Sequence, residues 1–64
     1  MRPLIEILED ERTQLMKLES IFRALSRVEE EDILELLMVQ RKRHMNTLNE
    51  VRQELKEYFI ELMD

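Results

Sequence analysis

The sequence has no cysteine, no glycine and no tryptophan, and it carries one proline, one histidine and only three aromatic residues. Each absence excludes something. Without Cys there is no disulfide framework, no thiol nucleophile and no thiolate metal ligand, and a lone His leaves a metal only an all-carboxylate or intersubunit site. Without Gly there is no phosphate-cradling loop, and neither H-E-x-x-H nor the Glu-x-x-His of di-iron bundles occurs. No nucleophile, base and stabiliser come together, so the chain is not expected to be an enzyme, and no cofactor or metal is expected. No stretch approaches the roughly 18 consecutive apolar residues of a membrane span. The short apolar run after Arg2 meets acidic residues at once and is followed by no small-residue cleavage site, so a secretory signal is not expected and the cytoplasm is the expected compartment.

What is present is helix-forming. Hydrophobic residues make up 44% of the chain and charged residues 39%, a composition of long helices and coiled coils with little material for strands or loops. The net charge of −5 speaks against a protein devoted to phosphate backbones, whose capture rests on Lys and Arg releasing counterions. At 64 residues there is room for one domain, and a chain of that size buries only about 60% of the surface its unfolded form exposes. With disulfides excluded and a metal not expected, oligomerisation is the remaining source of stability.

The second half organises the rest. Stepping three and four residues alternately from Leu34 gives Leu37, Arg41, His44, Leu48, Val51, Leu55, Tyr58 and Leu62, a continuous stripe on one side of a helix. The first half has its own stripe through Leu4, Leu8, Glu11, Leu15, Leu18, Phe22 and Leu25. Ile5, Met16, Ile21 and Val28 form a shoulder that widens it toward the face needed in a bundle of more than two helices. The two stripes fall out of phase between Ser26 and Asp32, where continuing the first would bury Glu29 and Asp32. Two capping signatures, Ser26-Arg-Val-Glu29 and Asp32-Ile-Leu-Glu35, mark possible new helix starts at this break.

The expected fold is therefore all-α: one domain over residues 1–64, an antiparallel two-helix hairpin that dimerises into a four-helix bundle. Its first helix spans about 3–25, its corner about 26–31 and its second helix about 28–63. The rival is a continuous helix of about 90 Å in a coiled coil, which the lack of Gly or Pro at the corner leaves open. In the hairpin, Leu4 lies opposite Leu55 and the end of the second helix overhangs. The layout resembles dimeric helical-hairpin proteins of the Rop type in architecture alone, and no motif carries a function across from them.

Three features are candidates for function. The overhanging tip, with Tyr58, Phe59, Leu62 and Met63, is an apolar surface that its own hairpin leaves uncovered, and such surfaces mark interfaces; the alternative is ordinary core covered by the second hairpin of a homodimer. Glu11, Arg41 and His44 interrupt the apolar stripes and are able to form a polar layer that fixes register, or to lie at the seam edge with their charges in water. If the layer forms, His44 makes assembly depend on pH. The block Arg41, Lys42 and Arg43 is a candidate nucleic-acid contact, a dock for an acidic protein, or a solvated face. The function expected is a small protein-binding regulator, adaptor or inhibitor that buries a helix face against a protein partner and also pairs with itself. The alternatives are a dimeric bundle that binds RNA or DNA, and a purely structural coiled-coil segment.

Overall fold

A computed structural model describes residues 2–63. The chain forms two α-helices, α1 (Leu4–Leu25) and α2 (Glu31–Met63), packed against each other. Residues near the start of α1 meet residues late in α2, as Arg2 does Glu54, while Gln14 meets His44, so the helices are antiparallel. The molecule measures 51 × 15 × 14 Å, the length of α2 alone, whereas a continuous helix would reach about 90 Å. The rod alternative is thereby excluded.

The helix ends explain how the chain turns without glycine. Pro3, with φ −57° and ψ 144°, precedes α1 as its N-cap; its carbonyl accepts hydrogen bonds from the backbone N–H groups of Glu6 and Ile7. Proline suits this place because the N–H it lacks would have had no partner in a first turn. At the other end Ser26 closes α1: its Oγ donates to the Arg23 carbonyl at 2.7 Å, and its N–H to that of Phe22. The N–H groups of Arg27 and Val28 both reach the Ala24 carbonyl, so carbonyls that a helix end leaves open are satisfied. Among the described residues none has a positive φ, and a corner built that way has no position that favours glycine.

Neither capping signature is used as the sequence suggested. Ser26 ends the first helix rather than starting the second. Asp32 already lies in the first turn of α2, which begins at Glu31, three residues later than expected, with the Glu30 carbonyl accepting the N–H of Leu34. Glu31 and Asp32 still place negative charge at the positive end of the helix dipole.

The seam of α2 follows its stripe, with Leu48 and Val51 buried and Leu34, Leu37, His44, Leu55 and Tyr58 half-buried. Arg41 and Leu62 depart from it and are exposed. The seam of α1 differs from expectation. It runs Leu4, Ile7, Glu11, Gln14, Leu18, Ile21 and Leu25, all buried or half-buried, while Leu8, Leu15 and Phe22 are exposed. Both alternations share Leu4, Glu11, Leu18 and Leu25 and diverge only in which neighbour is taken between them. Among the described residues the core proper consists of Ile7, Ile21, Leu48 and Val51.

Candidate functional site

The choice of seam in α1 leaves the hairpin two unlike faces. Residues seven apart share a row along a helix, with a drift of about 20° per heptad. Leu8, Leu15 and Phe22 therefore form one row of α1, and Met38, Met45, Arg52 and Phe59 one row of α2. Antiparallel pairing sets both rows on the same side of the seam. An ion pair across that side, from Arg52 Nε to Glu11 Oε2 at 3.3 Å, ties the two helices together there. Toward the corner the same side opens into a groove of about 690 Å³ lined by Leu15, Leu18, Phe22, Leu25, Arg41 and Met45 among others. A second hollow of about 470 Å³ adjoins it, where Met38, Val39 and Lys42 join Arg41 and Met45.

The opposite side is polar and closed by ion pairs. Arg2 reaches across to α2, where its Nε and Nη2 each donate to the Glu54 carboxylate at 2.9 Å. Its Nη1 also donates to Asp10 and, at 3.4 Å, to Glu6. The guanidinium, charged at any physiological pH, is held further toward its charged form, first by the hydrogen bonds to Glu54 and next by those to Asp10. A fork gripped by two helices fixes the register at the open end of the hairpin. Arg2 does not stand out in the sequence. Its spacing to Glu6 and Asp10, one and two i,i+4 steps away, was the available signal; Glu54 required knowledge of the register.

The three seam interruptions separate. Within the chain, Glu11 pairs with Arg52 rather than with Arg41 or His44, so no Glu11–Arg41–His44 layer forms there. His44 Nδ1 lies 2.7 Å from Gln14 Oε1. A carboxamide can accept from an N–H of the ring or, turned over, donate to its bare nitrogen, so this contact serves either tautomer of His44. No buried side-chain nitrogen or oxygen lacks a partner among the described residues. Arg41 is exposed on the apolar side and has no carboxylate within ion-pair distance among the described residues; its hydrogen-bond contact is with Met38 Sδ at 4.0 Å. Lys42 shares the second hollow with Arg41, whereas Arg43 lines neither groove and lies exposed beyond them. The basic block is thus split, as 100° steps around a helix require.

Past the Arg2–Glu54 contact α2 runs on to Met63, and Phe59, Leu62 and Met63 are exposed while Tyr58 is half-buried. The rings of Tyr58 and Phe59 meet edge to face, 6.1 Å between centroids with planes at 87°, a favourable geometry for an aromatic pair. Phe59 belongs to the row of Met38 and Met45, and Leu62 to that of Arg41, Leu48 and Leu55, so tip and groove share one side of the molecule.

No helix is long and apolar enough to cross a membrane among the described residues, and no three His, Asp or Glu side chains gather there as a metal site would require. No family model matches the chain, and neither curated proteins nor solved structures give a match.

Proposed function

We propose that this chain is a small protein-binding regulator, adaptor or inhibitor of the cytoplasm, without catalytic activity, that works by burying helix faces against protein, and that two hairpins join in a four-helix bundle. One observation carries the reading: the apolar row Leu8, Leu15, Phe22 and the tip residues Phe59, Leu62 and Met63 are exposed in a molecule whose buried apolar core, among the described residues, is four side chains. Contiguous apolar surface of that kind costs free energy in water and is recovered only by contact. Long helices with apolar anchors at heptad spacing suit helix-face docking. Phe59 and Tyr58 supply aromatic anchors, and Met38 and Met45 an adaptable surround.

The test is capture of partners from the source cell by the intact chain and by a Tyr58→Ala/Phe59→Ala variant, with helix content checked by circular dichroism. The expected result is specific partners retained by the first and lost by the second. Equal capture by both refutes the tip as a docking surface.

A further inference from the structure

We infer that the overhanging tip of one copy seats in the corner-end groove of a second copy, each copy giving a tip and receiving one. The inference rests on the reading of the chain as an interaction protein acting through its apolar side, and it names the occupant of that side in the free protein.

Tip and groove lie on the same side of the molecule and at opposite ends of it. Two copies laid face to face and antiparallel about a two-fold axis, with α2 along α2, bring each end onto the other. With the axis between Leu48 and Asn49, the row Met38, Met45, Arg52, Phe59 meets its own reverse: Met38 faces Phe59 and Met45 faces Arg52, so the two Arg52 guanidinia stay apart. At either end of that pair one copy presents two helices with a hollow between them, and the other presents only the single protruding helix. A single helix carrying Phe59 and Leu62 is the shape that a two-helix groove accepts.

Charge agrees with shape. Arg41 lies on the rim of both hollows and Lys42 on that of the second, and neither has a carboxylate within ion-pair distance among the described residues. Glu57 and Glu61 on the tip are exposed and, each two residues from Phe59, lie in the stripe of Glu54 on the far side of α2, clear of this contact. In the antiparallel register Arg41 is placed to lie against an aromatic ring of the tip of the other copy. The area suffices: a side of 51 by 15 Å offers a footprint of roughly 750 Å² per copy, close to the roughly 800 Å² per partner of a standard interface. The second copy is also the one occupant that carries both the knob and the hole. A consequence follows for regulation, since a foreign protein that takes the tip must displace the second copy, making partner binding and self-association mutually exclusive.

The test uses two substituted chains, Met38→Lys and Phe59→Glu, with mass followed by sedimentation equilibrium over a wide concentration range. Wild type is expected to be a dimer. Each variant alone sets an unpaired charge against an apolar side chain at both ends, and its dimer is expected to weaken by about tenfold or more. An equimolar mixture pairs the two introduced charges at one end and keeps Met38 against Phe59 at the other, and is expected to form a heterodimer as tight as wild type. Circular dichroism on the separate and mixed chains shows whether each is helical, and rescue on mixing excludes a simple folding defect because the changes compensate only between chains. A helical wild-type monomer at every concentration, or variants that dimerise like wild type, overturns the inference. Tip-dependent capture of a foreign partner would survive either result, so the reading of the chain as a binder of other proteins fails only by its own test.

Discussion

Ile7 and Leu8 are adjacent in sequence, nearly equal in size and apolar in kind, and the fold assigns them opposite roles. Ile7 is 0% exposed and Leu8 is 41% exposed. Truncating either to Ala removes three methyl or methylene groups, worth about 2.4 kcal/mol when wholly buried. For Ile7 the whole of that applies, and the hollow it leaves between the helices adds a cavity term, giving a loss of about 3 to 4 kcal/mol. For Leu8, scaling by the buried fraction leaves about 1.4 kcal/mol at most, with no closed cavity to add. Against a total stability of about 3 to 10 kcal/mol for a chain of this length, Ile7→Ala is expected to unfold much of the population and Leu8→Ala to leave it folded. The assay is urea denaturation followed by circular dichroism at 222 nm, a standard helix band, at protein concentrations low enough to keep self-association small. Equal losses, or a larger loss for Leu8→Ala, would show that the seam of α1 runs through Leu8, Leu15 and Phe22 and would refute the register on which the two-faced description stands.

Further expectations concern the polar contacts. Arg2→Ala removes the fork that joins α1 to Glu54, so amide hydrogen exchange is expected to speed up in the first two turns of α1 and to stay unchanged near Ile21; uniform acceleration would contradict a local role. Gln14→Ala leaves His44 Nδ1 without its partner on the seam and is expected to destabilise the hairpin by about 1 kcal/mol, whereas His44 and Gln14 truncated together should lose less than the sum of the two single changes; strict additivity in thermal melts would mean that the 2.7 Å contact carries no coupling. Nucleic acid is expected not to bind: a salt-sensitive mobility shift of RNA or DNA, abolished by Arg41→Gln/Lys42→Gln/Arg43→Gln, would reverse that expectation.

Helicity, the break between the two stripes and the overhang were legible because they depend on quantities a sequence displays directly: propensity summed over long segments, the phase of a repeat and the unequal lengths on either side of the break. The seam of α1 was not. A stripe through Leu8, Leu15 and Phe22 contains one polar residue, Glu11, while the stripe actually packed contains two, Glu11 and Gln14. Pattern reading favours the more apolar row. The hairpin uses the other because Gln14 finds His44 on α2 and Glu11 finds Arg52, so each polar group keeps a partner and the penalty that pattern reading assigns to it does not arise. Pairings of that kind join residues 30 and 41 positions apart and become visible only once the register is known. Caps failed for a related reason. Ser26 is able to serve either helix, and the Arg23 carbonyl, already in place, claims its hydroxyl.

The departures from pattern and the exposed face have a common cause. A two-helix hairpin needs only a narrow seam, and had α1 packed its most apolar row inward, Gln14 and Ile21 would have turned outward and the molecule would have offered a mixed surface to other chains. By using Ile7, Gln14 and Ile21 instead, with His44 answering Gln14, the fold keeps Leu8, Leu15 and Phe22 unused and lines them up beside Met38, Met45 and Phe59. The polar residue in the seam is thus the condition for the apolar row outside it. Substituting Gln14 by Leu tests this dependence: a Leu there makes both rows inward-competent, and α1 is expected to lose its unique setting. The readout is the dispersion of methyl signals in the proton–carbon NMR spectrum, which should collapse toward random-coil positions or double, whereas a single well-dispersed set identical in pattern to wild type would show that apolar packing alone selects the row.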